Sequence, residues 1–121
     1  MRIDERSCGD VVMLDLHGKI AAGDLLIKDT IQSLAQRGVR QIVLNFADVP
    51  YMDSVGLSTL VRSHLVIRQH DGRLVLLHVP RHIAHLLTLT GLAPVFAMYD
   101  DESAAIRSFD EAAVPTTPAI D

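Results

Sequence analysis

The sequence contains a single cysteine, Cys8, and this scarcity excludes two kinds of stabilisation. One thiol cannot form a disulfide within the chain, and it cannot supply the four-cysteine or mixed cysteine–histidine ligands of a structural zinc site. The chain is therefore expected to fold without covalent cross-links, in a reducing compartment. Cys8 lies near a predicted strand end and is interpreted as a small packed residue rather than a reactive thiol.

Basic residues and long apolar runs are also scarce. The chain has 11 lysines and arginines against 15 acidic residues, and the basic ones are scattered, so we expect no nucleic-acid partner. Apolar runs such as 42–44 and 74–79 are far shorter than the roughly 20 residues that cross a bilayer. Residues 1–6 lack the apolar stretch and cleavage site of a signal peptide, so the expected location is the cytoplasm.

Catalytic and nucleotide-binding motifs are missing as well. The sequence has no Walker-type or dinucleotide glycine loop, and Ser54 lacks the glycine two places earlier that a G-x-S-x-G nucleophile elbow requires. His82 and His85 share a helical face, but no third ligand lies nearby, so we expect surface histidines and no metal. The chain is predicted to be no enzyme and to use no cofactor.

What the sequence does contain is enough apolar material for one folded domain. Its 121 residues are 49% hydrophobic and 21% charged, which is ordinary for a globular protein. Residues 1–111 are predicted to form that single domain. Residues 112–121 hold two prolines and little to bury, which predicts a flexible tail.

Strand and helix patterns alternate along the domain. Strands are predicted at about 2–6, 11–16, 41–46, 73–79 and 95–98. Helices are predicted from Asp24 to before Gly38, at 54–70, through 83–87 until Gly91, and at 100–109. Asp24 is the expected cap of the first helix. Crossovers between parallel strands are right-handed, so several helices should lie together over the sheet of an α/β fold.

The junction between the strand at 41–46 and the helix that begins near Ser54 is the most informative place. Loops that leave the carboxyl end of a strand and enter a helix often expose functional groups in α/β proteins. As the N-cap or first residue of that helix, Ser54 would hold its hydroxyl near unpaired backbone N–H groups. By capping physics alone, an Asp-Ser pair at this position is most simply a helix cap.

A phosphate on Ser54 would change the surface more than the fold. It would add roughly −1.5 to −2 charges, partly accommodated by the helix end and opposed by Asp53. Gly56 would leave room for another protein's backbone to approach the hydroxyl. Ser54 is therefore a candidate modification site as well as a candidate helix cap.

The exposed face of the same helix extends this candidate site. Arg62 and Gln69, with Ser58 one turn after Ser54, are predicted to face solvent and to continue a docking surface away from Ser54, with simple solvation as the alternative. Val66 would be exposed on that face, which is mild evidence for a partner. His64 lies near the apolar stripe and is interpreted as a half-buried residue at the edge of the core.

Several segments together resemble one known family. They are residues 42–46 (IVLNF), 48–57 (DVPYMDSVGL), 18–20 (GKI), 71–74 (DGRL), 89–92 (LTGL) and 96–101 (FAMYDD). Their sequence is similar to the STAS family, the domain shared by anti-sigma-factor antagonists and sulfate-transporter tails. The resemblance covers nearly all of residues 11–109.

The resemblance implies a fold, a partner and a role for Ser54. The fold would be a mixed sheet of four to five strands with about four helices, mainly on one side. Ser54 would be phosphorylated by a partner anti-sigma factor with serine kinase activity. The unphosphorylated bacterial protein would bind that partner and free a sigma factor for transcription, and a serine phosphatase would restore the binding form.

The other candidate site residues come from the loop around Ser54, from the exposed face of the second helix and from the resemblance. Those assigned to the switch loop and partner surface are Asp24, Asp53, Val55, Gly56, Leu57, Ser58 and Arg62. Val55 stands where many relatives carry a second Ser or Thr, which leaves Ser54 as the sole hydroxyl of the loop. Asp24 lies farther from Ile20 than the acidic residue of many antagonists, so partner choice stays open. The alternative function is a non-switching scaffold of a signalling assembly or a membrane transporter.

Overall fold

Five strands form one mixed sheet, and their order across the sheet is their order along the chain. The computed structural model describes residues 1–21 and 25–113. The strands are β1 (Arg2–Cys8), β2 (Val11–His17), β3 (Gln41–Asp48), β4 (Arg73–Leu77) and β5 (Met98–Tyr99). β1 pairs antiparallel with β2 as a hairpin, and the other three pairings are parallel.

Each parallel pairing requires a crossover that carries a helix. The helices are α1 (Leu26–Gln36), α2 (Ser54–Gln69), α3 (Arg81–Leu89) and α4 (Glu102–Ala113), with a 3₁₀ turn at Ala93–Val95. Because successive crossovers have the same hand, α1, α2 and α3 pack on one face of the sheet. α4 follows the last strand and covers the opposite face.

Alternate residues of the strands divide the core between the two faces. Val12, Leu14 and Leu16 of β2 pack with the buried residues of α1, α2 and α3. Val11 and Met13 face the other way, together with Ala105 and Phe109 of α4. This period of two is what a strand covered on both sides requires. The predicted α/β fold, with four helices mainly on one side, is confirmed.

The end of the chain differs from the sequence-based prediction. A last short strand is present as predicted, but its predicted position at 95–98 is wrong: a 3₁₀ turn occupies Ala93–Val95, and β5 is only Met98–Tyr99. Pro94 lies in the first positions of that turn, where its missing N–H costs no hydrogen bond. α4 continues beyond residue 109 as far as Ala113. Two residues of the predicted tail are therefore helical, and residues 114–121 lie outside the described part.

Other local expectations also need correction. β4 ends at Leu77 instead of residue 79, because His78 adopts a φ of 54°, outside the extended region. Cys8 is exposed and not packed. The N-cap residue of α1 is Leu25, which makes no side-chain cap, and the predicted cap Asp24 lies outside the described residues.

No helix within the described ranges is long and apolar enough to cross a membrane.

Candidate functional site

Ser54 is the first residue of α2, directly after the loop that leaves β3. This loop is fastened to the segment that follows β2. Ile20 forms an isolated parallel bridge with Met52, and its N–H donates to the Tyr51 carbonyl at 3.0 Å. The Asp53 N–H donates to the Ile20 carbonyl at 3.2 Å. Main-chain bonds on both sides of Met52 therefore fix the approach to Ser54.

Asp53, and not Ser54, caps α2. Asp53 has extended backbone angles, and its Oδ1 accepts a hydrogen bond from the Gly56 N–H at 2.7 Å. This is the N-cap arrangement in which a side-chain oxygen satisfies a free donor of the first turn. The cap interpretation of Ser54 is therefore wrong: the hydroxyl is exposed and makes no hydrogen bond with any described residue.

The Ser54 hydroxyl is therefore not held by a hydrogen bond to any described residue. Beside it, the N–H groups of Ser54 and Val55 make no hydrogen bond within residues 1–21 and 25–113. These donors lie at the positive end of the helix dipole, where anionic groups are favoured. The first turn thus offers a solvent-facing nucleophilic oxygen and two donors for an anion attached to it.

Gly56 has a different role from the one expected. A Cβ built on Gly56 would lie only 2.1 Å from the carbonyl oxygen of Ile20. The space beside this residue is already filled by the main chain of the neighbouring segment, and Gly56 itself is buried. Gly56 therefore lets α2 start against Ile20; it does not clear a path for another protein.

The remaining predicted site residues separate into exposed and buried ones. Val55, Ser58 and Arg62 are exposed, and the Ser58 hydroxyl donates to the Ser54 carbonyl at 3.2 Å. Leu57 is only 4% exposed and belongs to the core. Asp24 lies outside the described residues. The structure brings the exposed three together with Ser54 on the first turns of α2.

The far half of α2 corrects one expectation and bears out another. Val66 is half-buried against the core, and Leu65 is the exposed apolar residue, at 51%. His64 is half-buried with its ring edge-on to Phe96, 5.2 Å between ring centres. Burial lowers the pKa of His64, and the charge of Arg68 lowers it further.

Two neighbours of the site were missed by sequence reasoning. His82 of α3 places its Nε2 2.9 Å from the Pro50 carbonyl, and so ties α3 to the loop before Ser54. Because a carbonyl only accepts, Nε2 carries the proton. Leu92, after α3, faces Leu57, Ser58, Val61 and Arg62 across a shallow cleft. Neither contact could be found from spacing, since the partners lie on different elements.

No group of three or more His, Cys, Asp or Glu side chains in the described part of the chain is placed to hold a metal ion. His82 and His85 are both exposed, as expected.

Comparison with known proteins places these features in a family. The family model described as the STAS domain matches residues 3–105. The chain belongs to the STAS domain family. The resemblance to the STAS family seen in the sequence is thereby confirmed. The matched residues include the loop before Ser54 and the whole of α2.

Curated relatives of this STAS chain are named for one function. The anti-sigma-B factor antagonist of Staphylococcus aureus (strain NCTC 8325 / PS 47) is 35% identical over 66 residues. That alignment covers 54% of this chain and 61% of the relative. The chain therefore spans about three fifths of the length of the curated relatives that it matches.

Solved structures with the same STAS fold carry related names. An anti-sigma factor antagonist from Mycobacterium paratuberculosis has a TM-score of 0.76 at 18% identity, covering 88% of this chain and 92% of its own. The Bacillus cell fate determinant SpoIIAA in its phosphorylated form has a TM-score of 0.70 at 22% identity, with 89% and 99% covered. At these identities the likeness establishes the fold.

Proposed function

We propose that this STAS chain is an anti-sigma factor antagonist, a binding module controlled by phosphorylation of Ser54. The observation that carries the proposal is the exposed Ser54 hydroxyl, free of hydrogen bonds to described residues, at the start of α2 after a loop held by Ile20. The names of the Staphylococcus relatives support the antagonist function. A fold neighbour known in a phosphorylated form supports the control.

The unphosphorylated chain binds an anti-sigma factor that is also a serine kinase, and so releases a sigma factor. In the kinase reaction, the Ser54 oxygen forms a bond to the γ-phosphorus of ATP, the bond to ADP breaks, and the hydroxyl proton is released. The antagonist supplies only the hydroxyl, so it is a substrate and not a catalyst. A serine phosphatase would hydrolyse the phosphoserine and restore binding.

The first turn of α2 is suited to carry the phosphate without unfolding. The free N–H groups of Ser54 and Val55 can donate to phosphate oxygens, while the Asp53 carboxylate repels the roughly −1.5 to −2 added charges. Asp53 is itself held by its bond to Gly56. The added charge therefore acts on an approaching protein more than on the helix.

Phosphorylation can be tested with a purified anti-sigma kinase and ATP, with the modified residue located by mass spectrometry. Phosphate is expected on Ser54 in the wild type and in Ser58→Ala, the matched control one turn later on the same exposed face. Ser54→Ala should remain unmodified. Phosphate that persists in Ser54→Ala would contradict the assignment.

Binding separates this function from a non-switching scaffold. Ser54→Asp places a carboxylate beside Asp53, and it should weaken binding of the anti-sigma factor, measured by calorimetry, while the melting temperature stays unchanged. In a scaffold that ignores Ser54, binding would survive both Ser54→Asp and phosphorylation.

A further inference from the structure

A shallow cleft of about 360 Å³ lies along the first turns of α2. We call it the α2 cleft, and its lining is Leu57, Ser58, Val61, Arg62 and Leu92. The floor and walls are apolar, from Leu57, Val61 and Leu92, and the two polar side chains stand on the α2 side. The cleft that contains Glu5, Asp29 and Arg37 has three charged side chains in its lining, whereas the α2 cleft has one.

The far wall of the α2 cleft comes from a different element and is fixed in place. Leu92 follows α3, and its N–H donates to the Leu87 carbonyl at 2.8 Å. Leu87 is fully buried in the core shared by α1, α2 and α3. The cleft is therefore a preformed feature between α2 and the segment after α3, not a gap beside a loose side chain.

Arg62 is a free cation on the rim of this cleft. Its guanidinium is exposed and makes no hydrogen bond or ion pair with any residue in the described ranges. Arg6 pairs with Asp15 and Glu102, and Arg37 pairs with Glu5. Arg68, Arg81 and Arg107 also make no side-chain hydrogen bond or ion pair with a described residue, but Arg62 is the arginine that lines the α2 cleft. An unpaired guanidinium beside an apolar depression fits an apolar side chain that has a carboxylate next to it.

We propose that the α2 cleft is the anchor site for the anti-sigma factor, which inserts an apolar side chain between α2 and Leu92 and places a carboxylate against Arg62. This inference rests on the proposed function. It also supplies a reason for the switch. Arg62 lies eight residues from Ser54, about 12 Å along the helix axis, so a phosphate on Ser54 would repel the carboxylate that Arg62 attracts, and this repulsion would weaken as salt is added.

Charge reversal on α2 tests the Arg62 half of the proposal. Arg62→Glu should weaken binding of the purified anti-sigma factor at least about tenfold at low salt, and the loss should shrink as salt screens the pair. Arg68→Glu is the matched control, because Arg68 is exposed on the same helix, away from the cleft. If both variants lost the same amount of affinity, the loss would come from the change in net charge and not from the cleft, and the proposal would be overturned.

Filling or opening the cleft tests the apolar half. Leu92→Ser should weaken binding about tenfold, whereas Leu89→Ser, at a position 70% exposed nearby, should change it less than about twofold. Ser58→Phe gives a second variant, since an exposed residue is enlarged and the core is left intact. Tight binding by folded Ser58→Phe would overturn the proposal even if Leu92→Ser failed to fold.

A partner-free measurement keeps this proposal distinct from the proposed function. The acetylated peptides Glu-Leu-Leu-Glu and Lys-Leu-Leu-Lys are titrated into the ¹⁵N-labelled full chain. The acidic peptide should shift the amide signals of Ser58, Arg62 and Leu92, with an affinity at least about threefold higher than the basic one. Failure of the anti-sigma factor to bind the wild type would contradict the function, while equal or absent peptide shifts would contradict the cleft.

Discussion

Asp53 and Ser54 are neighbours at the start of α2, and only Asp53 makes the helix cap. The Asp53 carboxylate satisfies the Gly56 N–H, so the Ser54 hydroxyl is not needed to hold the helix. A serine that capped the helix would have to give up a hydrogen bond before a kinase could use its oxygen. Because Asp53 makes the cap, the phosphorylation proposed at Ser54 would leave the start of the helix intact.

Substitutions at these two positions should therefore differ in their effect on folding. Asp53→Ala removes the cap and should lower the free energy of unfolding by about 0.5–2 kcal/mol. Ser54→Ala removes no hydrogen bond to a described residue, and should change the free energy by less than about 0.5 kcal/mol. Urea unfolding of both variants measures the difference. An Ser54→Ala loss as large as that of Asp53→Ala would restore the cap interpretation.

Gly56 should tolerate no side chain. The Cβ of Gly56→Ala would meet the Ile20 carbonyl oxygen, a main-chain atom that cannot rotate away, so a loss of about 3 kcal/mol or more is expected. Thermal melts should show a lowered transition or no folded protein. Gly9→Asn is the control, because the space beside Gly9 is open and asparagine accepts its φ of 60°; its cost should stay below about 1 kcal/mol.

At the residue scale the sequence pointed to the start of α2 as the candidate site, but the contacts within that candidate site could not be predicted. The three- and four-residue spacing after Asp53 predicts a helix that begins near Ser54, and α2 does begin there. The reason for glycine at position 56 lies in Ile20, which is far away along the chain. Neither that contact nor the cleft wall at Leu92 leaves a local pattern, since both depend on how separate elements pack.

At the scale of elements, long periodic segments were predictable and short ones were not. α1 and α2 carry an apolar face over many residues, and their ends lie close to the predicted positions. β5 has only two residues, too few for any alternation, and its position is set by pairing with Leu76 and Leu77 of β4. The 3₁₀ turn before it uses Pro94, which disfavours a strand.

The contact between α2 and the segment before β5 should make stability depend on pH. The Nδ1 atom of His64 is buried without a hydrogen-bond partner in the described part, and its ring packs on Phe96. Burial lowers the pKa of His64, so the unfolded chain takes up a proton more readily than the folded one. The contribution of neutral His64 is therefore present above its ordinary pKa of about 6.5 and is lost as pH falls through the lowered value.

Urea unfolding at about pH 7.5 and about pH 5.5, which bracket the ordinary histidine pKa, measures this effect. The wild type should lose stability toward the lower pH, and His64→Gln should lose less, by up to about 1 kcal/mol because part of the ring faces solvent. His85→Gln, at an exposed position on α3, should keep the wild-type dependence. An unchanged pH dependence in His64→Gln would rule out this histidine as its source.

For the whole molecule, the sheet needs cover on both faces, and α4 supplies it on the face away from the site. Ala105 and Phe109 pack on Val43 and Val75, while the site and the α2 cleft lie with the other three helices. The first turn of α2 is thus separated by the sheet from the apolar cluster under α4. We expect the domain to act as a rigid support for the first turn of α2 and the α2 cleft.

We propose that the folded unit ends with α4, at Ala113, two residues beyond the boundary predicted from the sequence. A chain that stops at Ala113 should keep its melting temperature within about 2 °C, since a loss of 1 kcal/mol would lower it by about 4–8 °C in a domain of this size. It should also bind the anti-sigma factor as tightly as the full chain.

A chain that stops at Arg107 is the control. It lacks Phe109, whose side chain is 3% exposed, and should lose about 3–5 kcal/mol or fail to fold. If the chain that stops at Ala113 melted as low as the chain that stops at Arg107, residues 114–121 would belong to the folded unit, and the boundary would have to be moved.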